Sequence, residues 1–411
     1  MKRRQFIAAS AVLAMLPGSP AQAAPTPAPA GKPVAPAAKP VQPVQPVQKK
    51  PGRPVAGKRP APAGRNSGET PRASAPRNAI SLPDEPLPQW RNYELRATLA
   101  LNGIDDRARL WLPLMQYRDT PWERSFGHRW QGNFETAGIY RDPVADMEVF
   151  YADWPAGVAE PRLELVSQFA TQDRHFDITR RGATAERGEI LRRCLQPTGS
   201  MPTDGIARRT AERAIGRIKD PLAQAKAIYD WVVENAVYDP QARPLDHANI
   251  AGQLESGRLA GRSVEISLLF VGLCRAIGIP ARPVFGLRID GSRLFACLGA
   301  GGELNAAQHC RAEFYSPGYG WVPVNPSDVR KAILNENLSP LDPRLTVLKK
   351  LLFGFWEMNW IGFNAAQDVL LQGSAKGALP FLGSPVVETA ESRFDDPASG
   401  HFSYSVTAQR T

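Results

Sequence analysis

The sequence has few cysteines and histidines, and none of them falls in a metal-binding spacing. Its 411 residues include four cysteines and five histidines, without a Cys-x-x-Cys pair. These spacings match no zinc signature, so we expect no metal ion and no other cofactor. The cysteines are interpreted as small buried apolar groups, or one pair as a disulfide that the sequence does not identify. They are Cys194, Cys274, Cys297 and Cys310.

The chain also lacks an apolar run long enough to span a bilayer. Its N-terminal candidate, residues 6–16, is too short and is followed by a proline and a glycine. A basic segment precedes this run and a small-residue cleavage site follows at 21–23, so residues 1–23 are predicted to be an export signal. Arg3 and Arg4 resemble the bacterial twin-arginine signal, with an ordinary secretory signal as the alternative. The predicted location is periplasmic or otherwise extracytoplasmic.

Acidic residues are almost absent from the first 80 residues, and aromatic residues are scarce before Trp90. The chain carries a net charge of +10, but residues 1–80 alone carry +12, which leaves −2 for the rest. A nucleic-acid-binding fold would need a basic patch on a folded face, so that class is excluded. Residues 24–88, rich in proline and alanine, are predicted to be a disordered linker. This linker is either a solvated spacer or a contact to an anionic envelope surface.

Folded sequence is predicted to begin at residue 89. The segment YELRATLAL alternates apolar and polar residues, and ARLWLPL, MEVFYADW and RLELVSQFATQ repeat the pattern between turn residues. Residues 89–180 are therefore predicted to form an antiparallel β-sandwich domain. Helical patterns follow, and Asp220 and Pro221 provide a cap and a first-turn proline for one helix. The fold class is α+β.

A second helix is predicted to be the centre of the following domain. The segment SVEISLLFVGLCRAIG has almost no polar face, which is typical of a buried helix. Ser263 lies at its N-terminus, where free amides and the helix dipole favour negative charge. A thiol would ionise readily there, whereas a serine hydroxyl gains little because its pKa is too high.

The stretch QHCRAEFYSPGYGWVPVNPSD predicts a β-hairpin. Pairing Tyr315 with Trp321 places His309 diagonally from Asn325 on one face, within side-chain reach. Cys310 is expected to point to the opposite face.

The order of these segments resembles the transglutaminase-like superfamily, which has a papain-like fold. GLCRAIGIPAR, the hairpin just described and DPLAQAKAIYDWVVENAVYD are similar to its signature segments. The resemblance implies a core over residues 190–345, with 346–411 as a C-terminal extension packed on the core. It also implies that the triad positions are Ser263, His309 and Asn325.

Two of these three positions depart from the superfamily pattern, which has cysteine and aspartate where this chain has Ser263 and Asn325. In a serine protease, the change of the orienting aspartate to asparagine lowers kcat by about 10⁴. Serine together with asparagine therefore predicts an impaired site that binds a peptide, a cell-wall fragment or a protein. Arg311 and Trp321 are expected to border the cleft.

Two catalytic alternatives remain open at this point. The first is an active acyl-transfer enzyme, a peptidase, an amidase or a transglutaminase-type enzyme, that uses the serine triad. Glu313 or Asp328 would then supply the missing carboxylate. The second is a cysteine enzyme that uses Cys310 or Cys297.

Overall fold

The structure is a computed structural model, which describes residues 89–116, 118–143, 145–183, 185–242, 249–396 and 399–411. The predicted export signal, 1–23, and the whole predicted linker, 24–88, lie outside the described residues. Within these ranges no helix is both long enough and apolar enough to cross a membrane.

The structure is a mixture of short helices and strands, and all strand pairs in the described ranges except β8–β9 are antiparallel. The strands are β1 (Arg91–Leu101), β2 (Ala108–Pro113), β3 (Glu123–Gly132), β4 (Thr136–Asp142), β5 (Met147–Trp154), β6 (Arg162–Thr171), β7 (Arg174–His175), β8 (Val237–Tyr238), β9 (Ala260–Gly261), β10 (Ala281–Arg288), β11 (Gln308–Ser316), β12 (Gly320–Val324), β13 (Phe355–Trp356), β14 (Trp360–Asn364), β15 (Val386–Glu388), β16 (Arg393–Phe394) and β17 (Phe402–Arg410). The helices are α1 (Gly188–Arg193), α2 (Gly205–Ile215), α3 (Pro221–Asn235), α4 (Ile250–Ser256), α5 (Ser263–Ala276), α6 (Pro326–Asn335) and α7 (Pro343–Leu351).

The N-terminal domain is an antiparallel β-sandwich. One sheet has the strand order β17-β1-β6-β3 and the other β16-β15-β2-β5-β4. The apolar residues that alternate with polar ones along β1 are the buried residues of that strand. Tyr93, Leu95 and Ala97, for example, are buried against the facing sheet.

The C-terminal tail belongs to both domains. The sequence analysis predicts that 346–411 packs on the core. In the structure β14 does join the core sheet, but β15, β16 and β17 complete the sandwich. The pairing of β17 with β1 runs from Tyr93 opposite Arg410 to Leu101 opposite Phe402. Strands so far apart in the sequence leave no local pattern that would reveal their pairing. The prediction for the tail therefore missed its strands in the sandwich.

The second domain is built around α5. Its sheet has the order β12-β11-β10-β14, and α2, α3 and α6 share the hydrophobic core of α5. The cap predicted for α3 is present, since the Ala223 amide donates to Asp220 Oδ2 at 2.8 Å. All residues of α5 but one are buried, as its sequence without a polar face predicts.

The β11–β12 hairpin has the predicted register, with Tyr315 opposite Trp321. Residues at even positions of β11 face α5: the Phe314 ring packs edge-on against Phe270, with centroids 6.2 Å apart. The odd positions, which include His309, face the other side of the sheet.

At the β10–β14 end of the sheet, the face that carries Phe314 packs into the sandwich. Leu287, Ile361 and Phe363 of the core sheet lie in the same hydrophobic cluster as Tyr93 and Phe150. The short pair β7 and β13 also links the two domains. One apolar cluster thus contains residues of both domains, while the residues around α5 form a separate cluster.

Candidate active site

Ser263 is the first residue of α5, and its hydroxyl does not cap that helix. Instead, the main-chain N–H of Cys310 donates to Ser263 Oγ at 3.1 Å. This bond holds the hydroxyl against the main chain at the start of β11. The side chain is enclosed, with 5% of Ser263 exposed.

The His309 ring is surrounded by hydrogen-bond donors at Nε2. Arg288 Nη2 lies 3.1 Å from Nε2, and Asn325 Nδ2 lies 3.3 Å from it. A guanidinium has no acceptor atom, so Arg288 donates and Nε2 accepts. The ring proton of the neutral histidine is therefore on Nδ1, the nitrogen closer to the main chain.

Asn325 presents its amide nitrogen to the histidine because its oxygen is used elsewhere. Asn325 caps α6, so the main-chain N–H of Asp328 donates to Oδ1 at 3.1 Å. The hydroxyl of Ser327 donates to the same oxygen at 2.9 Å. Nδ2 also donates to Asp328 Oδ2 at 2.7 Å, which fixes the orientation of the amide. An orienting residue must accept a proton from the histidine ring, and Asn325 instead donates to it.

Asp328 and Arg288 form a buried ion pair beside the ring. Arg288 Nη2 donates to Asp328 Oδ1, and the two residues are each 3% exposed. Asp328 Oδ1 lies 3.5 Å from His309 Nε2, beyond hydrogen-bonding distance. The carboxylate is thus committed to the arginine.

The electrostatic surroundings keep His309 neutral. Burial lowers the pKa of His309 well below its usual value, and the positive charges of Arg288, Arg311 and Lys331 lower it further. An imidazolium, the form that acid–base catalysis requires after proton uptake, is disfavoured at this site.

The structure places Arg311 away from any cleft. It is 2% exposed, and its guanidinium lies 4.7 Å from the centre of the Trp360 ring. Nη1 donates to the main-chain oxygen of Glu357 at 3.0 Å. Burial lowers the pKa of Arg311 to about 10. Trp356 and Trp360 of the C-terminal tail cover this side chain.

Trp321 is half-buried at the far end of the hairpin from Asn325. Its Nε1 donates to Glu186 Oε2 at 3.0 Å, and Arg282 stacks on its ring at 4.2 Å. Glu313, the other candidate carboxylate, is held by Arg174 and Arg282. Neither residue joins the group around His309.

The cysteines offer no alternative nucleophile. All four are free thiols. Cys310 is fully buried on the opposite strand face from His309, and burial raises the pKa of its thiol. Burial and a hydrogen bond with Glu336 raise the pKa of Cys297 to about 12. Across the described ranges, no group of three or more His, Cys, Asp or Glu side chains is arranged to hold a metal ion.

Arg288 is the site residue that the sequence does not reveal. It reaches His309 because β10 pairs with β11 with Gly286 opposite His309, so Arg288 lies diagonally on the same face. Only this register between two separate segments brings the guanidinium to the ring. The hairpin alone contains no such information.

Comparisons with known proteins give one sequence family and a set of distant structures. The sequence profile of the Transglutaminase-like superfamily matches residues 208–326. An uncharacterized protein of Haemophilus influenzae is 31% identical over 297 residues, which cover 67% of this chain and 79% of that protein.

Two solved structures are similar at lower levels. One, from Cytophaga hutchinsonii and proposed to be a cysteine protease, has 14% identity and a TM-score of 0.47, covering 79% of this chain and 88% of its own. The other is the periplasmic domain of TgpA from Pseudomonas aeruginosa, with 15% identity and a TM-score of 0.30, covering 59% of this chain and 91% of its own.

Proposed function

Because this chain belongs to the transglutaminase-like superfamily, we propose that it is an exported protein that uses the superfamily's site to bind a ligand without acyl transfer. The ligand class is a peptide, a cell-wall fragment or a segment of a partner protein. Export rests on the predicted signal at 1–23, and the basic linker at 24–88 would hold the protein near an anionic envelope surface.

One observation carries the proposal that the site is not catalytic, namely the pair of donors at His309 Nε2. A serine nucleophile must pass its proton to a lone pair on a nearby base. Arg288 and Asn325 occupy the lone pair of Nε2, and Nδ1 carries the ring proton. His309 therefore has no free lone pair with which to activate Ser263.

A second candidate function is favoured by the position of Asp328. Its carboxylate lies 3.5 Å from His309 Nε2, and a small rotation of the ring would bring it to hydrogen-bonding distance. Ser263, His309 and Asp328 would then form a serine triad with an orienting carboxylate. Arg288 must release Asp328 for this arrangement to form.

The test compares full-length wild type with Ser263→Ala and Ser263→Cys. Each protein is assayed for hydrolysis and for amine transfer on glutamine-containing peptides and on a general peptide library. We expect no difference in turnover between wild type and Ser263→Ala. Ser263→Cys serves as the positive control, because a thiol at a helix N-terminus ionises without a base.

Turnover by wild type that is lost in Ser263→Ala would show that Ser263 is a nucleophile and that the proposal is wrong. In that case Asp328→Asn distinguishes a triad oriented by Asp328 from one oriented by Asn325. It removes the orienting carboxylate of the second candidate and leaves Asn325 in place. Turnover by Ser263→Cys alone would agree with a site that lost its nucleophile and retained its shape.

A further inference from the structure

One asparagine of the chain is followed by glycine, and it lies in the turn after β1. The pair is Asn102 and Gly103, and both residues are exposed. The φ angle of Gly103 is +61°, and a Cβ atom placed on this residue would meet no other atom within 4 Å. The turn therefore has open space in which its main chain can rearrange.

The hydrogen bonds of this turn leave two reactive groups free. Asn102 Nδ2 donates to the main-chain oxygen of Gly400 at 3.3 Å, which is longer than an ordinary N–H···O bond. In the part of the chain that the structure describes, the main-chain N–H of Gly103 has no acceptor. The side-chain amide is thus weakly restrained, and the nitrogen that follows it is available as a nucleophile.

These two groups can react with each other in water. The main-chain nitrogen of Gly103 loses its proton and attacks Cγ of Asn102, the bond from Cγ to Nδ2 breaks, and ammonia leaves with that proton. The product is a five-membered cyclic imide. Water then adds to one of the two imide carbonyls and opens the ring to aspartate or to isoaspartate. Glycine favours the attack because it has no side chain that would crowd the nitrogen.

We propose that Asn102 is a site of spontaneous deamidation, and that its conversion loosens the attachment of β17 to β1. Asn102 joins the two ends, since its main-chain N–H also donates to the oxygen of His401 at 2.8 Å. A carboxylate at position 102 cannot donate to the Gly400 oxygen, and the facing oxygens repel each other. Isoaspartate also lengthens the main chain by one carbon, next to the pair of Leu101 and Phe402.

Asn133, at another strand end of the sandwich, lacks these features. Its Oδ1 accepts from Trp154 Nε1 at 3.1 Å and from the Arg162 amide at 2.8 Å. Phe134 follows it, and that side chain crowds the nitrogen that would attack. Asn133 is therefore the internal reference for the rate at Asn102.

The test follows deamidation of the full-length protein by peptide mass spectrometry during storage at pH 8. Trypsin releases residues 97–107 as one peptide, in which Asn102 is the single asparagine. We expect conversion at Asn102 to be at least about tenfold faster than at Asn133. It should be slower at pH 5, because the attacking nitrogen must lose its proton.

Gly103→Ala places a Cβ atom beside the attacking nitrogen, and we expect it to slow the conversion of Asn102 about tenfold. Gly157→Ala is the matched control, because Gly157 also has a positive φ, +82°, and open space around its Cβ position. It does not follow an asparagine, so conversion at Asn102 should keep the wild-type rate. Asn102→Gln should abolish conversion at this position, since a longer side chain closes a six-membered ring more slowly.

Hydrogen exchange of the β17 amides measures the structural effect. We expect faster exchange at residues 402–404 in converted protein and in Asn102→Asp than in fresh wild type, with no change at 408–410. Conversion at Asn102 no faster than at Asn133 would overturn the assignment of the site. Unchanged exchange at 402–404 after full conversion would overturn the loosening of β17.

Discussion

Asn325 holds its position through four side-chain contacts, and these contacts also determine the state of His309. Its oxygen accepts from Ser327 and from the Asp328 amide, and its nitrogen faces Asp328 and His309. The amide therefore acts as a link between two acceptors, a carboxylate and an imidazole nitrogen. An aspartate at this position, as in the superfamily pattern, would place two carboxylates together.

We predict that Asn325→Asp lowers the free energy of unfolding by roughly 3 kcal/mol at pH 8, because it buries an unpaired negative charge against Asp328. The two carboxyls would share a proton, so the folded protein binds more protons than the unfolded chain at mildly acidic pH. Stability therefore falls as pH rises, and the loss should be smaller at pH 5. Urea denaturation at both pH values measures this difference.

Asn249→Asp is the matched control for that substitution. Asn249 caps α4 by accepting from the Ala251 amide at 2.9 Å, and aspartate is an equally good cap. It should change stability little at either pH. If Asn325→Asp were as stable as Asn249→Asp at pH 8, the contact between Asn325 and Asp328 would not have the described donor and acceptor roles.

Among the elements, the sequence predicted those whose signals are local. The apolar pattern predicts α5, the proline and its cap predict α3, and turn residues give the hairpin its register. The sequence could not predict how β10 pairs with β11, because that pairing joins segments separated by a loop. Arg288 at His309 and the pairing of Arg282 with Glu313 both depend on it. The triad positions came from the resemblance, and their hydrogen bonding came from the structure.

The contact between β3 and β14 makes the free energy of unfolding depend on pH. Glu123 is buried, and the Gly362 amide donates to its Oε1 at 3.2 Å. Burial raises the pKa of Glu123 from 4.5 to about 7. The folded state then holds a proton that the unfolded chain has lost, so this residue's contribution declines as pH rises from 4.5 to about 7.

We predict that the free energy of unfolding of Glu123→Gln increases relative to that of wild type as pH rises from 5 to 8, by at most about 3 kcal/mol. Glutamine keeps an acceptor for Gly362 and does not ionise. Thermal unfolding across this pH range measures the effect, with Glu255→Gln on the exposed face of α4 as the control. Parallel pH profiles for wild type and Glu123→Gln would contradict the assignment.

At the scale of the whole molecule, the C-terminal strand β17 belongs to the N-terminal sandwich, although the second domain lies between them in the sequence. Phe402 and Val406 of β17 are fully buried in the sandwich, beside residues from the core sheet. Each such side chain contributes about 1.5–3 kcal/mol when buried. Because this cluster contains residues of both domains, we expect the two domains to unfold together.

We predict that removal of residues 402–411 destabilises the whole described fold and not the sandwich alone. It uncovers the edge of β1 and removes Phe402 and Val406, which exposes the apolar residues that they cover. Calorimetry should show one unfolding transition for wild type and a much lower transition temperature for the truncated chain. Removal of Thr411 alone is the control. Two separable wild-type transitions, or an unchanged transition temperature after truncation, would contradict the coupling of the two domains through this cluster.

The protonation of His309 tests the central claim of a non-catalytic site most directly. Nitrogen-15 NMR of the histidine rings, with His309 assigned by its absence in His309→Gln, reports which ring nitrogen carries the proton. We predict a neutral ring with the proton on Nδ1 and a bare Nε2 throughout pH 5 to 8, where an ordinary histidine titrates. A ring protonated on Nε2 with a bare Nδ1, or one that titrates near pH 6.5, would mean that His309 can serve as a base and that the site is competent for catalysis.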